Sequence, residues 1–134
     1  MAANRSKPQP ENCPCGSNRP HTLCCGPLLA GEEHAHHPEQ LMRSRYCAFA
    51  QGHTRYLLAT WYTDTRPETL DLEAEPPVKW TGLTVISSHV DEAKGMVEFV
   101  ARYKLSGRAM KLHEKSRFIF EDGYWYYVDG EFVA

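Results

Sequence analysis

No apolar run in this 134-residue chain approaches the roughly 18 residues a membrane-spanning helix needs. The opening MAANRSKPQP has no apolar core of the kind that directs secretion, so the sequence is expected to belong to a soluble cytoplasmic protein. A charge surplus is missing too: 15 Lys and Arg stand against 17 Asp and Glu, a net charge of -2. That balance provides no general attraction to phosphate backbones or anionic membranes, and it argues against nucleic acid as a partner. Also absent are internal repeats, a serine nucleophile elbow, a phosphate-cradling glycine loop and a metal-binding histidine pair on a helix. No catalytic constellation is legible, and the expectation is a protein that is not an enzyme. The length gives room for one compact domain and a small appendage.

Cysteine is missing from the whole of the chain after Cys47, and four of the five cysteines lie between positions 13 and 25. An oxidised framework spreads its cysteines to clamp distant segments, and a bridge between the adjacent Cys24 and Cys25 would be strained. The segment CPCGSNRPHTLCCGP, residues 13–27, has a single large aliphatic side chain, Leu23, and cannot build a core of its own. A metal explains both facts. Cys13, Cys15, Cys24 and Cys25 are four soft donors, enough to enclose one tetrahedral Zn²⁺. With no position left for water, such a site is structural. Gly16-Ser17 lets the backbone turn and aim N–H groups at the sulfurs, Gly26-Pro27 is expected to end any helix begun at Cys24, and Arg19, Lys7 and His21 would offset the negative charge of four thiolates. The competing accounts are reduced, unliganded cysteines and a thiol redox pair. Cys47, within a helical pattern, reads as a small buried hydrophobe. His34, His36 and His37 offer an alternative ligand or a second weak site, though a solvated connector is the commoner meaning of such a cluster.

The rest of the chain is organised by periodicity. Residues 1–12 read as a flexible lead-in, 13–27 as the cysteine knuckle, 28–37 as a connector and 38–134 as one α+β domain. From Pro38 to Gln51, Leu41, Met42, Tyr46, Ala48 and Phe49 recur at helical spacing, with Gly52 as the stop. HTRYLLATWY predicts a second, antiparallel helix with Thr54 as N-cap and Leu57, Leu58, Trp61 and Tyr62 on one stripe. Residues 63–77 predict a loop with one helical turn near Pro67 to Leu70. Four period-two runs follow, Lys79–Val90, Met96–Leu105, Ala109–Phe120 and Tyr124–Val128, with Ser106-Gly107 and Asp122-Gly123 as tight turns. The two helices then cover one face of a curved four-stranded antiparallel meander.

A two-residue turn at Ser106-Gly107 puts Glu98 opposite Lys115 and Phe99 opposite Glu114. On that register Val97, Phe99, Ala101, Tyr103, Met110, Leu112, Phe118, Phe120, Trp125 and Tyr127 face the helices, and so do Glu114 and Ser116. A carboxylate among apolar neighbours needs a partner. Arg45 is the matching misfit on the apolar stripe of the first helix and is expected to meet Glu114 inside the domain, with Arg43 as the fallback. The plain account is a structural ion pair between helix and sheet. The functional account is the polar floor of a pocket ringed by Trp61, Tyr62, Tyr103 and Tyr127, taking a small polar or anionic ligand. His113 points to the opposite face from Glu114, so the two form no dyad.

These residues carry a resemblance. CPCGSNRPHTLCCG resembles the SEC-C motif, the zinc-binding pattern also found at the C-terminus of the preprotein translocase ATPase SecA. Beyond it LMRSRYCAFAQG, YLLATWY, VEFVARYK, LHEKSRF and WYYVDG resemble, in order, segments of the YchJ family of bacterial proteins. The resemblance implies a SEC-C zinc knuckle followed by a nuclear-transport-factor-2-like cone, with no reaction to carry over. In SecA the related knuckle is a docking module for the chaperone SecB and for ribosomes. Here Cys25 stands where SecA-like versions often have histidine, and the lysine-rich stretch between the ligand pairs is absent, so the partner's identity does not carry over. The resulting expectation is a small cytoplasmic zinc protein whose four-cysteine knuckle is a protein-interaction module. The runner-up is a small-ligand binder or enzyme using the pocket around Glu114 and Arg45.

Overall fold

The computed structural model describes residues 12–73 and 76–133. The lead-in expected over 1–12, apart from Asn12, and Lys7 with it, lie outside the described residues. Among the described residues a 3-10 turn, His21–Leu23, precedes three helices, α1 (Cys25–Leu29), α2 (Pro38–Gln51) and α3 (Thr54–Ala59). Four strands follow, β1 (Val78–Asp91), β2 (Lys94–Leu105), β3 (Arg108–Glu121) and β4 (Tyr124–Phe132), paired in the order β1-β2-β3-β4.

Both ends of α2 are written in side-chain chemistry. The His37 ring accepts the Gln40 backbone N–H at 3.3 Å, Pro38 opens the helix without needing a donor, and Gly52 closes it at φ 80°. Leu41, Met42, Ser44, Arg45, Tyr46, Cys47 and Ala48 are all buried, so the helix is covered on more sides than a surface helix would be. Ser44 tolerates this because its hydroxyl donates to the Leu41 carbonyl and meets the Tyr56 hydroxyl, each at 2.7 Å. The second helix is shorter than its apolar stripe suggests. His53, not Thr54, is the N-cap, and the helix stops at Ala59. The chain is captured there by the sheet: Tyr127 N–H donates to the Thr60 carbonyl at 2.8 Å, and Tyr62 N–H donates to the Tyr127 carbonyl at 2.7 Å. No helical turn forms over Pro67 to Leu70.

The three hairpins turn through residues at positive φ, Glu92 at the first, Ser106-Gly107 at the second and Asp122-Gly123 at the third. The second turn gives the expected register, with Glu98 opposite Lys115 and Phe99 opposite Glu114. The Glu98 carboxylate nonetheless turns to His113, whose Nε2 lies 2.7 Å from Oε2, rather than to Lys115. Register shifts at Trp80/Gly82, Val85/Ser87 and Arg117/Phe118 are bulges that bend the ladder around the helices. Val97, Phe99, Ala101, Phe118 and Trp125 are buried on the concave face as expected. Met110 and Phe120 are not; both stand close to hairpin turns, beyond the reach of the helices, and are 41% and 42% exposed. β4 runs past Val128 to Phe132.

Candidate metal centre and cone cavity

Where only Leu23 could have made a core for residues 13–27, the structure lends them the core of the domain. Cys13, Cys15 and Cys25 are buried in the same cluster as Leu41, Met42, Cys47, Leu83 and Val97. Gly26 and Pro27 sit inside α1 instead of ending a helix: Pro27 falls in the first helical turn, where its missing donor is no loss. Leu28 then buries itself at the end of the same turn of chain.

The sulfurs of Cys13, Cys15, Cys24 and Cys25 lie within 4.8 Å of one another. The Cys15–Cys24 and Cys24–Cys25 separations are 3.6 and 3.9 Å. A tetrahedral ion with metal–sulfur bonds of about 2.3 Å requires edges of about 3.8 Å, so the quartet fits a single enclosed ion. The surroundings favour thiolate at Cys15, which is held well below the usual thiol range by hydrogen bonds from Cys25 and Cys47, aided by the Ser17 hydroxyl and backbone N–H against the opposing effect of burial. Burial pushes Cys24 up, and the contact with Cys15 pushes Cys25 up. The Ser17 hydroxyl lies 3.2 Å from Cys24 Sγ. Arg19 donates from Nη2 to the Leu23 carbonyl at 2.6 Å, bracing the loop rather than neutralising sulfur.

Three further residues join this centre, two of them in ways their sequence positions did not announce. Arg43, read as a fallback partner for Glu114, points the other way. Its Nη1 donates to the Cys15 carbonyl at 2.7 Å and lies 3.9 Å from Cys15 Sγ, while Nε donates to Glu39 at 3.0 Å. Burial works against the guanidinium's charge, yet Glu39 and Cys15 hold its pKa above the ordinary value. Cys47 is buried as expected, but its sulfur is 3.5 Å from that of Cys13. The contact with Cys15 pushes the Cys47 thiol up. His21 places Nδ1 3.1 Å from Cys13 Sγ, so Cys13, His21 and Cys47 form a second group of metal-type donors sharing Cys13 with the quartet. The spacing of Arg43 and Cys47, one helical turn apart, was the available signal that both face the knuckle. His34 packs edge-on against Tyr124 and His37 caps α2; neither they nor His36 belong to either group of donors.

Gly16 joins knuckle to sheet. It turns at φ 82°, and a Cβ there would come 2.7 Å from the Leu83 carbonyl oxygen. Gly16→Ala is therefore expected to lower stability by about 1–3 kcal/mol and to loosen the metal site with it, checked by urea unfolding and by the rate of metal loss to a chelator.

The second feature is a cavity of about 270 Å³ between α2 and the concave face of the sheet. Trp80, Tyr46 and Phe49 pack together at one part of its wall. Arg45, Glu114, Ser116, Trp61 and Tyr127 also line it, whereas Tyr62 and Tyr103 do not. Tyr62 instead donates from its hydroxyl to Glu121 at 3.1 Å, and the Tyr103 ring packs against Trp80 at 5.3 Å between centroids, tilted by 51°. The expected Arg45–Glu114 ion pair is not made. Arg45 Nη1 donates to the Leu57 carbonyl at 2.8 Å and to Thr60 Oγ1 at 2.7 Å, and the guanidinium lies over the rings of Trp61 and Tyr127 at 5.0 and 4.5 Å. Glu114 is held by the Ser116 hydroxyl at 2.6 Å. Its carboxylate occupies the space a Cβ on residue 130 would fill, which glycine leaves open. Burial lowers the Arg45 pKa to about 10, still a cation at neutral pH. Burial, then the Glu114 charge, raises Tyr127 to about 12, so it remains a hydroxyl.

A family model described as the middle, nuclear-transport-factor-2-like domain of YchJ matches residues 37–130. The chain belongs to the YchJ family. A UPF0225 protein of Bordetella pertussis is 49% identical over 125 residues, covering 91% of this chain and 93% of the relative. A UPF0225 protein of Streptomyces coelicolor is 47% identical over 124 residues, covering 90% and 95%. The solution structure of a SEC-C motif containing protein from Rhodopseudomonas palustris superposes with a TM-score of 0.83 at 36% identity, covering 92% of this chain and 100% of that one. The crystal structure of a SEC-C motif containing protein from Psychrobacter arcticus gives 0.74 at 26% identity, covering 92% and 84%. The YchJ-family chain thus carries a cysteine cluster able to bind a metal on a nuclear-transport-factor-2-like α+β domain.

Proposed function

We propose that Cys13, Cys15, Cys24 and Cys25 hold one structural Zn²⁺, and that the knuckle so closed is a docking surface for a protein partner in the cytoplasm, without chemistry of its own. The mutual approach of four sulfurs carries this reading. Four thiolates in a tetrahedron suit Zn²⁺, and all four positions are taken by protein, leaving none for a substrate. The ion would supply the cohesion that residues 13–27 lack, and Arg43 and Ser17, beside the sulfurs of Cys15 and Cys24, would orient the thiolates and partly offset their surplus negative charge. At the outer tip Leu23 is 64% exposed, an apolar side chain on a segment the metal keeps rigid. The relatives with the SEC-C motif support the knuckle; the docking role rests on Leu23 and on the resemblance to the SecA module.

The test is affinity capture from a bacterial lysate with the full-length zinc-loaded chain, comparing wild type, Leu23→Asp and Cys13→Ser. Proteins retained by wild type are expected to be lost with both variants, while Leu23→Asp keeps one equivalent of zinc. Recovery of the same proteins by all three would place the interaction elsewhere or nowhere.

A further inference from the structure

β4 does not follow β3 to its beginning. It pairs with Glu114 to Glu121, and just beyond it the Val133 N–H donates to the His113 carbonyl at 2.9 Å. Backbone groups alternate in direction along a strand, so Lys111 and Ala109, two and four residues before His113, aim their N–H and C=O groups out of the same edge. That side of β3 has no strand partner before His113 among the described residues. Arg108, Ala109, Met110 and Lys111 are all exposed, so nothing described covers the edge. The charge around it has one sign. On the convex side Arg102 stands directly opposite Lys111, and Lys79 directly opposite Lys104. Like charges facing each other across a ladder cost stability. None of the four forms a salt bridge among the described residues, and Arg102 donates only to the Thr84 hydroxyl at 3.0 Å. The overall charge of -2 hides this local surplus. On the concave side the same edge is apolar. Met110 and Leu112 alternate with Lys111, and Phe132, which shares the face of Glu114 opposite it, is 75% exposed.

We propose that this edge takes an extended segment of a partner protein as a further strand, antiparallel to β3 and continuing the line of β4, in which acidic residues alternate with apolar ones. In antiparallel pairing, the residues opposite Ala109 and Lys111 exchange backbone hydrogen bonds with them and point to the same face. Those residues are the acidic ones. One lies beside Lys111 and Arg102, and Ala109 is too small to separate the other from Lys104. The residues between them point to the concave side, beside Met110, Leu112 and Phe132, and are apolar. Main-chain bonds supply attachment and the alternation supplies specificity. Lysine on a free edge also keeps copies of a protein from pairing with themselves, because each edge meets its own charge. It does not repel an acidic strand. Nucleic acid fits less well, since the convex side between Lys79 and Lys111 presents no Phe, Tyr or Trp among the described residues on which a base could stack. The edge shares no residue with the knuckle or with Leu23.

The experiment uses the full zinc-loaded protein, labelled with ¹⁵N, and the synthetic peptide acetyl-TEVEVEVT-amide. Saturable movement of the Ala109 and Lys111 amide signals is expected, with slower exchange of both N–H groups into deuterium. N-methylation of the glutamates, which removes the N–H groups facing β3, is expected to weaken binding about tenfold or more, and N-methylation of the valines, whose N–H groups point away, about twofold or less. The shuffled peptide acetyl-TEEEVVVT-amide should bind no better than the glutamate-methylated one, and acetyl-TKVKVKVT-amide should not bind. Ala109→Pro removes one outward N–H and leaves the pairing with β2 intact, and Lys111→Glu reverses the charge; each should weaken the first peptide about tenfold, with the spectrum reporting that the variant is folded. The peptide comparisons need no variant at all. The proposal is overturned if millimolar peptide moves neither amide signal, the result expected of an edge that is only protected. It is overturned equally if the shuffled or glutamate-methylated peptide binds as tightly as the first, or if a short polyuridine moves the same signals at lower concentration than the peptide.

Discussion

Stripping the metal from the full-length protein is expected to lower its thermal midpoint by on the order of 10 °C. Free metal at about 1,000 times the dissociation constant contributes about 4 kcal/mol to the folded state, which for a domain of this size corresponds to a shift of that order. The effect should reach beyond the knuckle, because Cys13, Cys15 and Cys25 share their core with Leu41, Cys47 and Leu83. Cys15→Ser should reduce the metal-to-protein ratio from one to near zero and show most of the same loss. Cys47→Ala removes a sulfur 3.5 Å from Cys13 Sγ but is not one of the quartet; it should keep one equivalent of metal and lose only about 1–2 kcal/mol to the small cavity. Elemental analysis paired with calorimetric unfolding makes the check. A wild-type ratio far below one, or equal metal loss in Cys15→Ser and Cys47→Ala, would refute the four-cysteine assignment.

The contrast between Cys15 and Cys47 also marks where the sequence could be read and where it could not. α2 was legible from Pro38 to Gln51 because both signals are local, a proline at its first position and a glycine that reaches φ 80°. The register of β2 against β3 was legible because the Ser106-Gly107 turn fixes every pairing downstream of it. α1 was missed because Gly26-Pro27 looks like a terminator, and only the observed start at Cys25 shows the proline to be in the first turn. The early end of α3 depends on Tyr127, more than 60 residues away in the chain, whose backbone captures Thr60 and Tyr62. The same limit applies to side chains. Periodicity places Arg45 and Glu114 facing one interior, yet it does not measure the gap between them, and it assigned Arg43 by proximity in sequence when its partner, Cys15, belongs to another segment.

Arg45→Ala is expected to lower stability by about 3–5 kcal/mol, the largest effect of any single substitution in the cone. The variant loses two short hydrogen bonds, leaves the Leu57 carbonyl only the longer 3.3 Å approach of the Thr60 hydroxyl, and removes the cation from over the rings of Trp61 and Tyr127. It also leaves Glu114 without a nearby opposite charge. Glu114→Gln should be milder, about 1 kcal/mol, because Ser116 can still donate to the amide oxygen and Arg45 keeps its own acceptors. The asymmetry follows from the geometry: two residues clasped in one ion pair would each cost nearly the whole interaction, whereas two residues held separately across a cavity do not. Urea unfolding of both single variants and the double variant gives the coupling directly, and it is expected to stay below about 1 kcal/mol. Coupling of several kcal/mol would mean that guanidinium and carboxylate close on each other in solution. The cavity between them would then be filled by the pair itself.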